Sequence, residues 1–225
     1  MGLSESIDVS RSAFPVSRIK TTTLKQKWGT GNGQRSTGNL FMIFETIFST
    51  ISEAGDPNFA PMGIVRSGES VLVRPYGNTQ TCRNLLSTGC GVANFSDDVL
   101  AYVQCGLYNA VLPNFPAITL PGVVFREACY WLELEVVSQA GTDERVEFQC
   151  RVLHKGRQRD FLGFCRASHA VIEAAIMATR LAFFSPEKAF DDLNHYIKVV
   201  EKTGGENEKQ AIHLVQDYIR KREEQ

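Results

Sequence analysis

The sequence predicts an α+β protein in which an antiparallel β-barrel is followed by a C-terminal helical hairpin. Three observations carry this. From Phe41 to Leu153, short runs rich in aromatic and β-branched residues alternate with dense turn signals. Tyr130 to Val137 sets Trp131, Glu133 and Glu135 against Leu132, Leu134 and Val136, the period of two of a half-buried strand. After Ala167 the apolar residues recur at helical spacing. Six or seven antiparallel strands with short helices between them favour a closed barrel, which leaves no long edge exposed.

In chain order, the first strand is expected within Phe41 to Ile51, ending at the turn-rich Glu53-Ala54-Gly55-Asp56-Pro57-Asn58. Phe59 to Val65 and Val71 to Val73 follow as strands joined at Ser67-Gly68-Glu69. Thr79 to Leu86 reads as a short helix closed by Gly89, and Gly91 to Phe95 as another strand. Asp97 and Asp98 open a helix from Val99 to Gln104, where the helix dipole favours acids. Pro113, Pro116 and Pro121 make Asn109 to Pro121 a loop. Tyr130 to Val137 and Val146 to Leu153 form a hairpin across Gly141-Thr142-Asp143. The small residues of Ala167 to Leu181 allow a closely packed helix. Ser185-Pro186 starts another, with serine as cap and proline in the first turn. A last helix begins near Glu208. These final two are expected as an amphipathic hairpin laid on the barrel, serving packing alone.

Residues 1–40 differ in texture. They hold eleven Ser or Thr, five Gly and six Lys or Arg against Glu5 and Asp8, which makes them a basic arm. The expected organisation is therefore this arm, a barrel domain over 41–166 and a helical region over 167–225 packed on the barrel or on a dimer partner. The whole chain has 24 Lys plus Arg against 25 Asp plus Glu, a balance that argues against a broad nucleic-acid face. No run of eighteen apolar residues suggests a membrane span. Six cysteines without CxxC spacing, and no signal-peptide pattern, suggest a reducing, cytoplasmic setting.

Metal and hydrolase chemistry find little support. His154, His169, His195 and His213 are isolated, and no GxSxG, Walker or HExxH motif occurs. Scattered cysteines fit small buried hydrophobes better than nucleophiles. Glu173, in an apolar helix, is expected to pair with Arg166, with Arg180 or with a group of a partner subunit. The best candidate for chemistry is Arg74 to Leu85, where a strand ends, a Gly77 loop follows, and Thr79 and Thr81 stand at a helix N-terminus flanked by Arg74 and Arg83. Free amides and the dipole at such an end suit a phosphate. A plain threonine cap accounts for the same residues, and helix physics alone favours the cap.

Glu45-Thr46, Ala60-Pro61-Met62-Gly63, Arg74 to Leu85 and Asn94-Phe95-Ser96-Asp97-Asp98 together resemble one family. So do Gly163-Phe164-Cys165-Arg166-Ala167, Ala170 to Ile176 and Ala178-Thr179-Arg180-Leu181. It is a family of unknown function in the FMN-binding split-barrel superfamily, beside pyridoxamine-phosphate oxidases and flavin reductases. Cys82 stands where the pattern has an aromatic residue, and Cys165 where it has asparagine. The resemblance implies a six-stranded split barrel and a homodimer with FMN at the subunit interface. Carried over by position, Arg74, Thr79, Thr81, Arg83 and Asn84 hold the phosphate and ribityl chain. Pro61, Met62 and Gly63, with Asn94, Phe95 and Ser96, flank the flavin ring, and Arg166 approaches it from one subunit or the other.

Two functions fit that resemblance. One is an FMN-dependent oxidoreductase using a small-molecule electron donor or substrate, in which flavin carries the redox chemistry. The other is a non-catalytic module binding flavin or deazaflavin, accessory to methanopterin-linked one-carbon metabolism. The catalytic residues of either are not legible.

Overall fold

The computed structural model describes residues 42–223, so the basic arm of 1–40 lies outside the described residues. Six strands close the barrel. They are β1 (Ile43–Ile51), β2 (Pro57–Ser67), β3 (Ser70–Val73), β4 (Cys90–Phe95), β7 (Tyr130–Gly141) and β8 (Val146–Arg157). Their order is β1-β2-β3-β8-β7-β4, with β4 returning to β1 and every neighbour antiparallel. Inward positions carry Phe48, Ile64, Val71, Val73, Leu132, Leu134 and Phe148, which fill the interior. Helix α1 (Gln80–Thr88) adds Cys82 and Leu85 to the same cluster. Thr79 caps it and Gly89, at φ 67°, ends it in the left-handed conformation, as the threonine and glycine suggest.

Two expectations about the middle of the chain need correction. Asn109 to Pro121 is not wholly loop: β5 (Asn114–Pro116) pairs with β6 (Val123–Phe125) in a small second sheet. Its prolines stand just before and at the end of a three-residue strand, where a missing amide costs little. Nor is the polar face of β7 open to water at Glu133, although Glu135 on the same face is partly exposed. Glu133 is fully buried, and its carboxylate accepts from the amides of Ile118 and Thr119 at 2.9 and 2.6 Å, the Thr119 hydroxyl at 2.6 Å and the Trp131 indole at 3.2 Å. A buried charge needs such partners, and these pin the 118–119 segment to the barrel wall.

The helices form a separate layer. Helix α2 (Val99–Tyr108) is capped by Asp98 alone, whose side chain accepts from the Ala101 amide. Asp97 instead pairs with Arg159 and accepts from the Leu162 amide. Helix α2 is buried on two sides. Ala101, Tyr102 and Cys105 meet Ile47, Phe59 and Phe125 outside the barrel, while Val99, Val103 and Leu107 join the helical core. That core holds α3 (Arg166–Ala178), α4 (Pro186–Thr203, capped by Ser185) and α5 (Glu206–Glu223). The final hairpin therefore packs on α2 and α3 rather than on the strands. Alanines on α3 permit the close approach. Glu173 lies on the opposite, exposed side of α3, and among the described residues it makes no ion pair with Arg166 or Arg180. A solvated carboxylate needs no partner.

Glu133 generates a stability prediction. Burial alone would raise its pKa, but the donated hydrogen bonds outweigh this and hold it below the usual carboxylate range. Its stabilisation is therefore complete above the unfolded-state pKa of about 4.3 and is lost as pH falls through the lower folded value. Glu133→Leu should cost about 3 kcal/mol by urea unfolding at neutral pH, because it strands buried donors. Glu133→Gln should flatten the fall in stability between about pH 5 and pH 2.

Candidate functional site

The barrel turns the outer side of β2 toward α2 and α3, and a cavity of about 610 Å³ lies between them. Pro61, Met62 and Gly63 on β2 line one wall. Tyr102, Cys105 and Gly106 on α2, with Ile176, Thr179 and Arg180 at the end of α3, line the other. The segment from Arg74 to Thr81 closes a third side. Gly106 is required by proximity: a Cβ there would come within 2.8 Å of the Pro61 ring. Among the described residues the lining includes three guanidiniums, of Arg74, Arg145 and Arg180, against the single carboxylate of Glu45. The excess of positive charge suits an anionic ligand.

One end of the cavity gathers groups that can donate hydrogen bonds. Arg145 lies at the tip of the β7–β8 hairpin, far along the chain from α1. The tip is stapled to the Tyr76-Gly77 turn by a Tyr76–Arg145 bridge and by the Gly77 amide donating to Glu144 at 3.0 Å. Any side chain at Gly77 would strike the Asp143 carbonyl, so glycine lets the two turns meet. Arg145 thereby lies over the Tyr76 ring, 4.5 Å from its centre, and Arg74 sits 3.8 Å from the Glu147 carboxylate. Both line the cavity together with Thr79, Gln80 and Thr81 at the N-terminus of α1. There the Thr79 hydroxyl donates to Tyr76 at 2.7 Å and accepts from the Cys82 amide at 3.2 Å. Its proton is therefore engaged. The amides of Gln80 and Thr81, in the first turn, have no intrahelical acceptor. The Thr81 hydroxyl accepts from Asn58 at 3.1 Å and keeps its own proton to donate.

Farther along β2, the Tyr102 hydroxyl donates to Glu45 Oε2 at 3.1 Å. Burial, and then the Glu45 charge, push the phenol pKa up, so it stays protonated. Burial likewise pushes the Cys105 thiol up to about 12, and it is no nucleophile at neutral pH.

The structure brings Pro61, Met62, Gly63, Arg74, Thr79 and Thr81 to this cavity and places the other six candidates elsewhere. Arg83 turns back onto Gln80 and the Asn78 carbonyl. Asn84 is buried, donating to Thr50 at 2.9 Å and accepting from Gln80 at 2.6 Å. Asn94 is wholly buried and spends its amide within the protein. Phe95 stacks on Tyr130 at 4.1 Å, and Ser96 donates to the Glu127 carbonyl. Arg166 lines a different cavity of about 520 Å³ between α3 and α4, with Phe164, His169, Glu173, His195 and Tyr196. Sequence reasoning missed Glu45, Tyr102, Gly106, Arg145, Thr179 and Arg180 as cavity residues. Glu45, Thr179 and Arg180 lay within the resembling motifs, whereas nothing local marks Arg145. Among the described residues no group of three His, Cys, Asp or Glu could hold a metal ion, and no helix is long and apolar enough to cross a membrane.

A closed six-stranded antiparallel barrel with this helical layer is the fold of the FMN-binding split-barrel superfamily. Family models for a protein of unknown function, DUF447, match residues 44–159 (its N-terminal domain) and 165–217, and the chain belongs to that family. Among solved structures, an FMN-bound protein of the DUF447 family from Methanosarcina mazei is 29% identical, with a TM-score of 0.69 over 78% of this chain and 94% of that one. A flavoredoxin from Methanosarcina acetivorans is 16% identical, with a TM-score of 0.47 over 59% of this chain and 79% of that one.

The geometry separates the two threonines. Thr79→Val removes the α1 cap and should cost about 1 kcal/mol of stability, read from the urea midpoint. Thr81→Val keeps the cap and should leave the Thr79 hydrogen bonds in place, visible as unchanged protection of the Cys82 amide from hydrogen exchange.

Proposed function

We propose that this chain binds FMN in the cavity beside β2, as a homodimer, and acts as a flavin-dependent oxidoreductase. The observation that carries the reading is the donor set at one end of an apolar-floored cavity. Two free amides, the Thr81 hydroxyl and the Arg74 and Arg145 guanidiniums suit a phosphate dianion. Pro61, Met62 and the bare Gly63 offer a wall without bulky polar groups for an aromatic ring system. The FMN-bound family member from Methanosarcina mazei supports the same ligand.

Bound FMN would supply hydride acceptance and return, which explains why the walls need no acid–base dyad. The chain's own residues bind and orient. Arg74, Arg145 and α1 fix the phosphate, and β2 with Gly106 shapes the space for the ring. Tyr102 and Cys105 stay protonated. Supporting the homodimer, Ile43, which lines the cavity, is 54% exposed, and Leu162 and Phe164 are 88% and 91% exposed.

Purified protein should be yellow or take up added FMN, and NADH or NADPH without oxygen should bleach it. A protein that binds no flavin overturns the reading. Flavin reduced only by dithionite would favour a carrier module over a reductase. Arg74→Ala and Arg145→Ala should each weaken FMN about tenfold to a hundredfold, read by flavin fluorescence. Riboflavin, which has no phosphate, should bind wild type and both variants alike.

A further inference from the structure

Resting on the FMN reading, we infer that Glu45 is a specificity residue whose carboxylate accepts a hydrogen bond from the imide N–H of the flavin ring, and that Tyr102 is the positioning residue that holds it. Among the described residues Glu45 is the one carboxylate in a cavity lined by three arginines, so its role differs from theirs. It is an acceptor among donors.

Its two oxygens are not equivalent. Oε2 is occupied by the Tyr102 hydroxyl at 3.1 Å. Oε1 meets no donor among the described residues and stands 3.4 Å from where a Cβ on Gly63 would sit. Glu45 faces Gly63 directly in the β1–β2 register. A side chain at Gly63 would also come within 2.7 Å of the Ile43 methyl, so the glycine keeps this space open beneath the carboxylate. Tyr102 is 8% exposed and anchored in the cluster joining α2 to the barrel, which makes it a fixed support for a flexible glutamate.

Position along β2 identifies the donor. The α1 end is tied to β2 at Asn58, which donates to Thr81, while Glu45 lies opposite Gly63. Five residues of strand separate these points, about 16 Å at 3.3 Å per residue. A ligand anchored by its phosphate at α1 therefore reaches Glu45 with its other end. In FMN the ribityl hydroxyls adjoin the phosphate, and the remote ring system in its oxidised form carries a single N–H donor, that of the imide. A carboxylate is the strongest uncharged-donor partner a side chain can offer there.

The test compares FMN with its N3-methyl derivative, which keeps the phosphate and ring but has no imide proton. Affinities are read by flavin fluorescence for wild type, Glu45→Ala, Glu45→Gln and Tyr102→Phe, with far-UV circular dichroism verifying the fold. Wild type should prefer FMN about tenfold to a hundredfold. Glu45→Ala should weaken FMN by that factor and leave the methylated flavin unchanged. Glu45→Gln should recover part of the preference through its amide oxygen, and Tyr102→Phe should lose part of it. Equal binding of both flavins by wild type, or a Glu45→Ala variant that only gains affinity for the methylated form, overturns the inference while the FMN reading stands. Absence of binding by either flavin overturns both.

Discussion

The seam between β1 and β4 is the constraint on which the barrel depends. Only three residue pairs join those strands, Ile47 to Asn94, Phe48 to Ala93 and Ser49 to Val92. Asn94 reinforces them from within. Its amide donates to the Ile47 carbonyl at 2.9 Å and to the Ser49 hydroxyl at 3.0 Å, while its own carbonyl accepts from the Phe125 amide at 2.9 Å. Ser49 in turn donates to Val123 at 2.5 Å. One buried side chain thus binds β1, β4 and β6, and leaving any of these groups unpaired would cost about 1–3 kcal/mol. A second polar chain runs from the same strand. Thr50 accepts from Asn84 and Asn58, and Asn58 also donates to Thr81. The N-terminus of α1 is therefore registered against β1 and β2 by hydrogen bonds rather than by apolar contact alone.

That registration resolves an apparent choice at α1. A threonine cap and an anion site look like rival explanations of the same residues. They divide the amides instead: Thr79 satisfies Cys82, and the first-turn amides of Gln80 and Thr81 stay available. The free hydroxyl belongs to Thr81, because Asn58 gives it a donor and leaves its proton unspent. Capping thus stabilises the helix without using up its first two amides. Arg74 and Arg145 line the same end of the cavity, Arg74 beside the Glu147 carboxylate and Arg145 over the Tyr76 ring.

Local signals made much of this fold readable. Thr79, Asp98 and Ser185 announce helix starts, Gly89 announces an end, and the period-two alternation of β7 finds its strand. The same alternation misleads at Glu133, because a strand's outer face is polar only if nothing covers it. The segment that covers Glu133 is held by pairing of Asn114–Pro116 with Val123–Phe125, which the prolines hide. Arg145 is unreadable for the same reason: it reaches α1 only because the β7–β8 hairpin is long enough to bring its tip to Tyr76. Asn94 and Ser96 carry the opposite lesson. A run that resembles a ligand-contact motif can owe its residue types to the hydrogen bonds that close a barrel.

The helical third is more than packing. Helix α2 joins the two layers, since one side rests on the barrel at Ile47, Phe59 and Phe125 and the other enters the helical core through Val99, Val103 and Leu107. Tyr102 and Gly106 on the barrel side set the distance between α2 and β2 and so the width of the cavity. Helix α3, fixed by the same core, delivers Ile176, Thr179 and Arg180 to the opposite wall. Helix α5 locks this arrangement from outside, where Val215 and Ile219 join the core and Tyr108 donates to the Leu214 carbonyl at 2.8 Å. A barrel without that layer would keep its hydrogen-bonded seam and the capped N-terminus of α1, but it would lose the wall that turns an open strand face into a pocket. The donor set beside α1 is thus a property of the barrel, and the second wall of the cavity is a property of the helices.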